Sequence, residues 1–159
     1  MCGIAGKVHR ERERTVDEGL LQRMCDAIAH RGPDDFGYYR QGPVGLGMRR
    51  LEVIALAGGH PPMGNEAGSL WIVYNGEIYN YRQLRRDLEG RGHVFKTHSD
   101  TETILHLYEE KGPDCVDDLR GMFALALWDV REQSLFMARD RLGKKPLFYA
   151  ATASGLSFS

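Results

Sequence analysis

Leu70-Trp71-Ile72-Val73-Tyr74-Asn75-Gly76-Glu77 is the stretch on which the fold turns. Its first five residues are dominated by β-branched and aromatic side chains, which suit a pleated, half-buried strand. The run breaks at Asn75-Gly76, which reads as a plain turn. The same pair would also set a side-chain amide beside an unhindered backbone N–H. Beyond it, Asn80 to Arg91 has helical spacing, with Tyr81, Leu84 and Leu88 as the buried face and Asn80 facing Gln83 in a capping box.

Working outward toward the N-terminus, Gly3 to Val8 reads as a short apolar strand. Asp17 to His30 reads as a helix, because Leu20, Leu21, Met24, Cys25 and Ile28 recur at helical intervals and Asp17 can cap its start. Arg31-Gly32-Pro33-Asp34-Asp35 stops it. Short strands are expected at Phe36 to Arg40, Val44 to Met48 and Leu51 to Leu56. Toward the C-terminus, Val94 to Lys96 reads as a strand, and Ser99-Asp100-Thr101-Glu102 opens a helix that Gly112 closes, with one more turn at Val116 to Leu119. Met122 to Asp129, Ser134 to Arg139 and Pro146 to Ala151 read as strands, and Leu156 begins another. Strands flanking a cluster of helices, with few βαβ alternations, indicate an α+β class with antiparallel sheets covered by helices.

Composition narrows the function classes. A chain of 159 residues, 42% hydrophobic, fits one domain with a real core. Its 21 basic and 22 acidic side chains are interspersed and sum to −1, which argues against nucleic-acid and membrane partners. No apolar run reaches membrane-spanning length, and the start is not a signal peptide. Three widely spaced cysteines, Cys2, Cys25 and Cys115, suit a reducing cytoplasm and neither a disulfide framework nor a zinc site. Cys25 lies on the helix's apolar stripe and reads as core. His93 and His98 lack further ligands at metal spacing and read as surface histidines, so no metal is expected. Dinucleotide, P-loop and serine-elbow signatures fail.

Five residues carry chemistry. With Met1 removed, Cys2 holds a thiol nucleophile and its own α-amine, a base with an ordinary pKa of roughly 7.7–8.0; alternatively it is a small buried hydrophobe before a strand. Asn75 and the Gly76 N–H form the donor kit of an oxyanion hole, or a turn. Arg50 suits a carboxylate grip, or is a surface charge like Arg49. Asp100 suits an ammonium group, or simply caps a helix. Together they fit an α-amino acid with a side-chain carbonyl.

The runs Met1-Cys2-Gly3-Ile4-Ala5-Gly6, Arg31-Gly32-Pro33-Asp34, Arg50-Leu51, Gly59-His60, Tyr74-Asn75-Gly76-Glu77-Ile78-Tyr79-Asn80, Ser99-Asp100-Thr101-Glu102, Leu119-Arg120-Gly121-Met122-Phe123-Ala124 and Ala138-Arg139-Asp140-Arg141-Leu142-Gly143 resemble the N-terminal glutaminase domain of glutamine-hydrolysing asparagine synthetases. These are class II, N-terminal nucleophile glutamine amidotransferases. The resemblance implies an αββα sandwich of two antiparallel sheets between helical layers, spanning residues 1–159 as one type 2 amidotransferase domain. It implies hydrolysis of L-glutamine to glutamate and ammonia through a Cys2 thioester. Asn75 and Gly76 would form the oxyanion hole, Arg50 would hold the substrate carboxylate, Glu77 and Asp100 would lie near its α-amine, and the Val53 backbone would contact substrate. The ammonia would pass to a synthetase domain or partner, and ATP and Mg²⁺ are expected only there; a homodimer is a further partner to consider. Glu52, Ala55 and Pro61 depart from the family pattern beside the glutamine loop. The chain carries no Ser-Gly-Gly nucleotide loop and stops inside the last expected strands, so it reads as a fragment or excised domain. The alternative function is a glutamine-binding or regulatory module with negligible turnover in isolation.

Overall fold

Alternation along the strands sorts this chain into layers. In the computed structural model, which describes residues 2–51 and 59–159, the order is β1 (Gly3–His9), α1 (Glu18–Ala27), β2 (Asp35–Gln41), β3 (Val44–Arg50), β4 (Met63–Gly64), β5 (Leu70–Ile78), α2 (Tyr81–Gly90), α3 (Asp100–Lys111), β6 (Gly121–Asp129), β7 (Ser134–Arg139), β8 (Tyr149–Thr152) and β9 (Gly155–Phe158). Short 3₁₀ turns at Ala29–Arg31 and Gly112–Asp117 follow α1 and α3. The strands form a five-stranded sheet, β2-β3-β1-β9-β8, and a four-stranded sheet, β4-β5-β6-β7, with every pairing antiparallel.

Val44-Gly45-Leu46-Gly47-Met48 shows how the layers arise. Val44, Leu46 and Met48 face inward and share a core with Val73, Ala124, Ala126 and Trp128 of the opposite sheet. Gly45 and Gly47 face outward under α1, where Val16, Leu21 and Cys25 cover them; a β-carbon on Gly47 would stand 2.2 Å from the Cys25 sulfur. Bare backbone on this face is what lets the helix lie close. In β5 and β6 the other phase holds: Leu70, Ile72, Tyr74, Phe123, Leu125 and Leu127 pack beneath α2 and α3 through Leu88, Ile104, Leu105 and Leu107. The result is the αββα sandwich that the sequence resemblance implies. No described helix is long and apolar enough to cross a membrane.

Several expectations change. β5 does not end at Tyr74: Asn75, Gly76 and Glu77 continue it, paired with Ala124, Phe123 and Met122. A nine-residue partner in β6 overrides the local turn preference of Asn-Gly. Asn80 does not cap α2 with its side chain; its amide donates to the Asp118 carbonyl at 2.9 Å and accepts from Arg120 N–H at 3.0 Å, which ties α2 to the start of β6. Residues 94–96 form no strand: the N–H groups of Lys96 and Thr97 go to the Glu102 carboxylate instead, both at 2.7 Å. The helix expected over 17–30 stops at Ala27, and β8 begins at Tyr149 rather than Pro146. Residues 52–56 of the strand expected at Leu51 to Leu56 lie outside the described residues.

Candidate active site

Register, rather than any loop, brings the first residues together. β1 pairs antiparallel with β3 as Gly3↔Arg49 and Ile4↔Met48, and one step further the same register sets Cys2 beside Arg50. Both line a cavity of about 170 Å³ together with Gly59, His60, Tyr74, Gly76 and Asp100. That is well below the roughly 300–1,000 Å³ of sites for drug-sized ligands and suits a small metabolite. Among the described residues its walls contain one arginine, Arg50, and one carboxylate, Asp100, a combination matched to a zwitterion.

Cys2 is half-buried at the rim of the inter-sheet core. Arg31 Nε donates to its carbonyl at 3.2 Å, which fixes the backbone that presents the thiol. Gly32 makes that possible, because any β-carbon there would come within 2.4–2.5 Å of the Arg49 carbonyl and the Arg50 nitrogen. In the sequence this Arg-Gly pair reads as a helix stop and as part of a run that carries the family resemblance. Its second role depends on a contact 29 positions away, which local patterns do not encode.

The pleat separates the two adjacent arginines. Arg49 faces α1, pairs with the Asp26 carboxylate, donates to the Cys25 carbonyl at 3.3 Å and lies 4.6 Å above the Phe36 ring. Arg50 faces the cavity, where Nη1 donates to the Gly59 carbonyl at 2.8 Å. At the cavity's edge His60 Nδ1 stands 3.4 Å from Asp35 Oδ2.

Asp100 is the first residue of α3, and Ser99, not Asp100, is the cap, accepting from Thr101 N–H at 3.1 Å. Asp100 Oδ2 accepts from Tyr74 Oη at 2.7 Å and from Ile78 N–H at 2.9 Å. Oδ1 takes no hydrogen bond from the described residues. Burial, then the neighbouring Asp100 charge, holds the Tyr74 hydroxyl well above its ordinary pKa, so it remains a neutral donor that locks the carboxylate. Tyr74 was legible only as a strand residue; its hydroxyl partner lies 26 positions on.

Asn75 is 4% exposed and shares the inter-sheet phase of β5 with Val73, while Gly76 lies in the cavity wall. β4 covers the outer edge of β5 only at Trp71 and Ile72, and beyond them this edge runs into the cavity wall. Glu77 is exposed and is not among the cavity's lining residues. Pro61 lines the cavity; Val53, Glu52 and Ala55 lie outside the described residues.

Comparison with known proteins adds three findings. Residues 1–159 match a family described as a glutamine amidotransferase domain. Two glutamine-hydrolysing asparagine synthetases of Bacillus subtilis strain 168 are similar: number 2 is 47% identical over 163 residues, covering 100% of this chain and 21% of its own length. Number 3 is 44% identical over 160 residues, covering 99% of this chain and 26% of its own. The chain thus spans about a quarter of the curated relatives it matches. Among solved structures, the glutamine phosphoribosylpyrophosphate amidotransferase of B. subtilis aligns with a TM-score of 0.77 at 20% identity, over 99% of this chain and 41% of that one, a likeness of fold.

Proposed function

This chain belongs to the glutamine amidotransferase domain family, and on that premise we propose that it is the glutaminase half of an asparagine synthetase-like enzyme, converting L-glutamine and water to glutamate and ammonia. The observation that carries the reading is the convergence of Cys2, Arg50, Gly76 and Asp100 on one small cavity. Arg50 holds the substrate α-carboxylate, and Asp100, through the oxygen not taken by Tyr74 and Ile78, holds the α-ammonium, with Glu77 adding negative charge nearby and the Val53 backbone a further contact.

Once Met1 is removed, the Cys2 α-amine takes the thiol proton and the sulfur attacks the side-chain carbonyl. The Asn75 amide and the Gly76 N–H donate to the oxyanion that develops. The protonated amine then delivers its proton to the departing nitrogen, ammonia leaves, and a γ-glutamyl thioester remains. Water adds to that carbonyl with its proton passing to the amine, the C–S bond breaks, and glutamate and the free thiol are restored. Retained Met1 would turn the base into an amide, so processing is part of the mechanism. The ammonia goes to a synthetase domain or partner, where ATP and Mg²⁺ belong. Three free cysteines support a reducing, cytoplasmic setting.

Purified chain beginning at Cys2 is expected to release glutamate from glutamine in a coupled dehydrogenase assay. A folded chain that binds glutamine in calorimetry without releasing glutamate would replace this reading with a binding module.

A further inference from the structure

Outside the cavity, the structure sets two histidines 13 positions apart against each other: the His93 and His106 rings have centroids 4.7 Å apart with their planes tilted by 55°. His106 is 2% exposed. Its Nδ1 is 2.8 Å from Glu109 Oε2 and 3.1 Å from His93 Nδ1. His93 Nε2 lies 3.1 Å from Glu110 Oε1 and His93 Nδ1 lies 3.5 Å from Glu109 Oε2; both carboxylates only accept, and the shorter contact draws the neutral His93 proton to Nε2. The neutral His106 proton lies on Nδ1, donated to Glu109 Oε2 at 2.8 Å, the shorter of that nitrogen's two contacts. A neutral His106 then points the bare lone pair of Nε2 away from this network.

That lone pair has no hydrogen-bond partner among the described residues. It faces Glu66 Oε1 at 3.6 Å and Glu102 Oε1 at 3.9 Å, so three acceptors converge with no proton between them. We infer that His106 Nε2, Glu66 and Glu102 form a divalent-cation site of the zinc class, pinning α3 to the turn between β4 and β5. Donor atoms of the three residues lie within 4.8 Å of one another. Zinc bonds of roughly 2.0–2.2 Å imply ligand-to-ligand edges of about 3.4 Å in a tetrahedron, so the 3.6 and 3.9 Å spacings from His106 Nε2 need to close only slightly. A cavity of about 20 Å³ beside Gly64, Glu66, Lys96, Glu102 and His106 offers the space, against roughly 10–15 Å³ for one water-sized guest.

The surroundings are those of a metal-bound imidazole. Metal-ligating histidines characteristically give their other N–H to a carboxylate, and Glu109 supplies it here, itself held by Asn65 Nδ2 at 2.7 Å. Glu102 is fixed by Lys96 N–H on Oε1 and by Thr97 N–H and Oγ1 on Oε2, and Oε1 keeps a second lone pair. One nitrogen and two carboxylates leave a tetrahedral ion one position for water. Of the histidines weighed in the sequence, His93 and His98, the set uses neither; it departs from the expectation of no metal. The cation's place between the segment leading to Asp100 and the β4–β5 turn would brace one wall of the glutamine cavity.

The test uses the whole chain carrying Cys2→Ala, because a terminal cysteine chelates zinc by itself. Zn²⁺ affinity is read by competition with a chromophoric chelator, Co²⁺ by its visible absorption, and stability by Tm. One equivalent of Zn²⁺ should bind and raise Tm. Glu66→Gln, at an exposed side chain, should abolish that uptake, Glu109→Gln should weaken it roughly 10- to 100-fold, and His93→Gln should leave it unchanged. No uptake with an unchanged Tm would overturn the site and leave His106 as a charged imidazolium among carboxylates. Loss in His93→Gln with none in Glu66→Gln would overturn it as well, because the ion would then sit on the Nδ1 side.

Discussion

The two faces of the five-stranded sheet each set a cysteine near an arginine, and they treat the pair in opposite ways. Under α1, Cys25 is fully buried and burial pushes its thiol up to about 11, while Arg49 spends its donors on Asp26 and the Cys25 carbonyl. At the cavity, Cys2 is half-buried and the Arg50 side chain makes one bond among the described residues, to Gly59. Two aspartates repeat the contrast. Burial would raise the Asp140 carboxyl, but backbone N–H groups of Lys145, Lys144, Phe123 and Leu142 outweigh it and hold it below the usual range, whereas among the described residues Asp100 has only one oxygen engaged. A side chain whose hydrogen-bonding capacity is consumed by the fold is structural; one left half-satisfied beside a cavity is available to a ligand.

Breaking the cysteine pair gives the largest contrast. Cys2→Ala should reduce glutamate release to background, while Cys25→Ala should keep kcat and cost only stability, measured by urea unfolding. Asn75→Ala should lower kcat by roughly 10²–10³, about 2.7–4 kcal/mol of transition-state stabilisation, with glutamine binding little changed. For the arginine pair, Arg50→Ala should raise KM about ten- to hundredfold with kcat retained. Arg49→Ala should leave KM alone and lower Tm; equal effects on KM would erase the distinction between the faces. Tyr74→Phe should raise KM about fivefold through a less firmly held Asp100.

The last contrast is one of pH. A thiol whose folded pKa is raised contributes stability that is complete below its unfolded value, roughly 8.5, and is lost as pH climbs through the folded value of about 11. Denaturant stability should therefore decline over that interval, and Cys25→Ala should flatten the decline. A slope unchanged by the substitution would mean that Cys25 is not protected from water.

The layers were legible because alternation is written residue by residue: Val44, Leu46 and Met48 against Gly45 and Gly47 declare two faces before any partner is known. Leu21 and Cys25 likewise declare a helix stripe. What local sequence conceals is whatever a distant partner decides. Asn75-Gly76 looks like a turn until Ala124 and Phe123 pair with it. Asn80 looks like a cap until Arg120 N–H claims its side-chain oxygen. Arg31 looks like the end of a helix until Cys2 offers its carbonyl, and His106 looks like one more residue on α3 until Glu66 closes over its free nitrogen. At the cavity, residue types pointed to chemistry, but only register showed that Cys2 and Arg50 are neighbours.

The measurement that tests the central claim most directly is peptide mapping by mass spectrometry after treatment with 6-diazo-5-oxo-L-norleucine, an electrophilic glutamine analogue. Chain that begins at Cys2 should gain a single adduct on the Cys2 peptide, and excess glutamine should prevent it. An adduct on Cys25 or Cys115, or none at all on folded chain with a free Cys2 amine, would contradict the account.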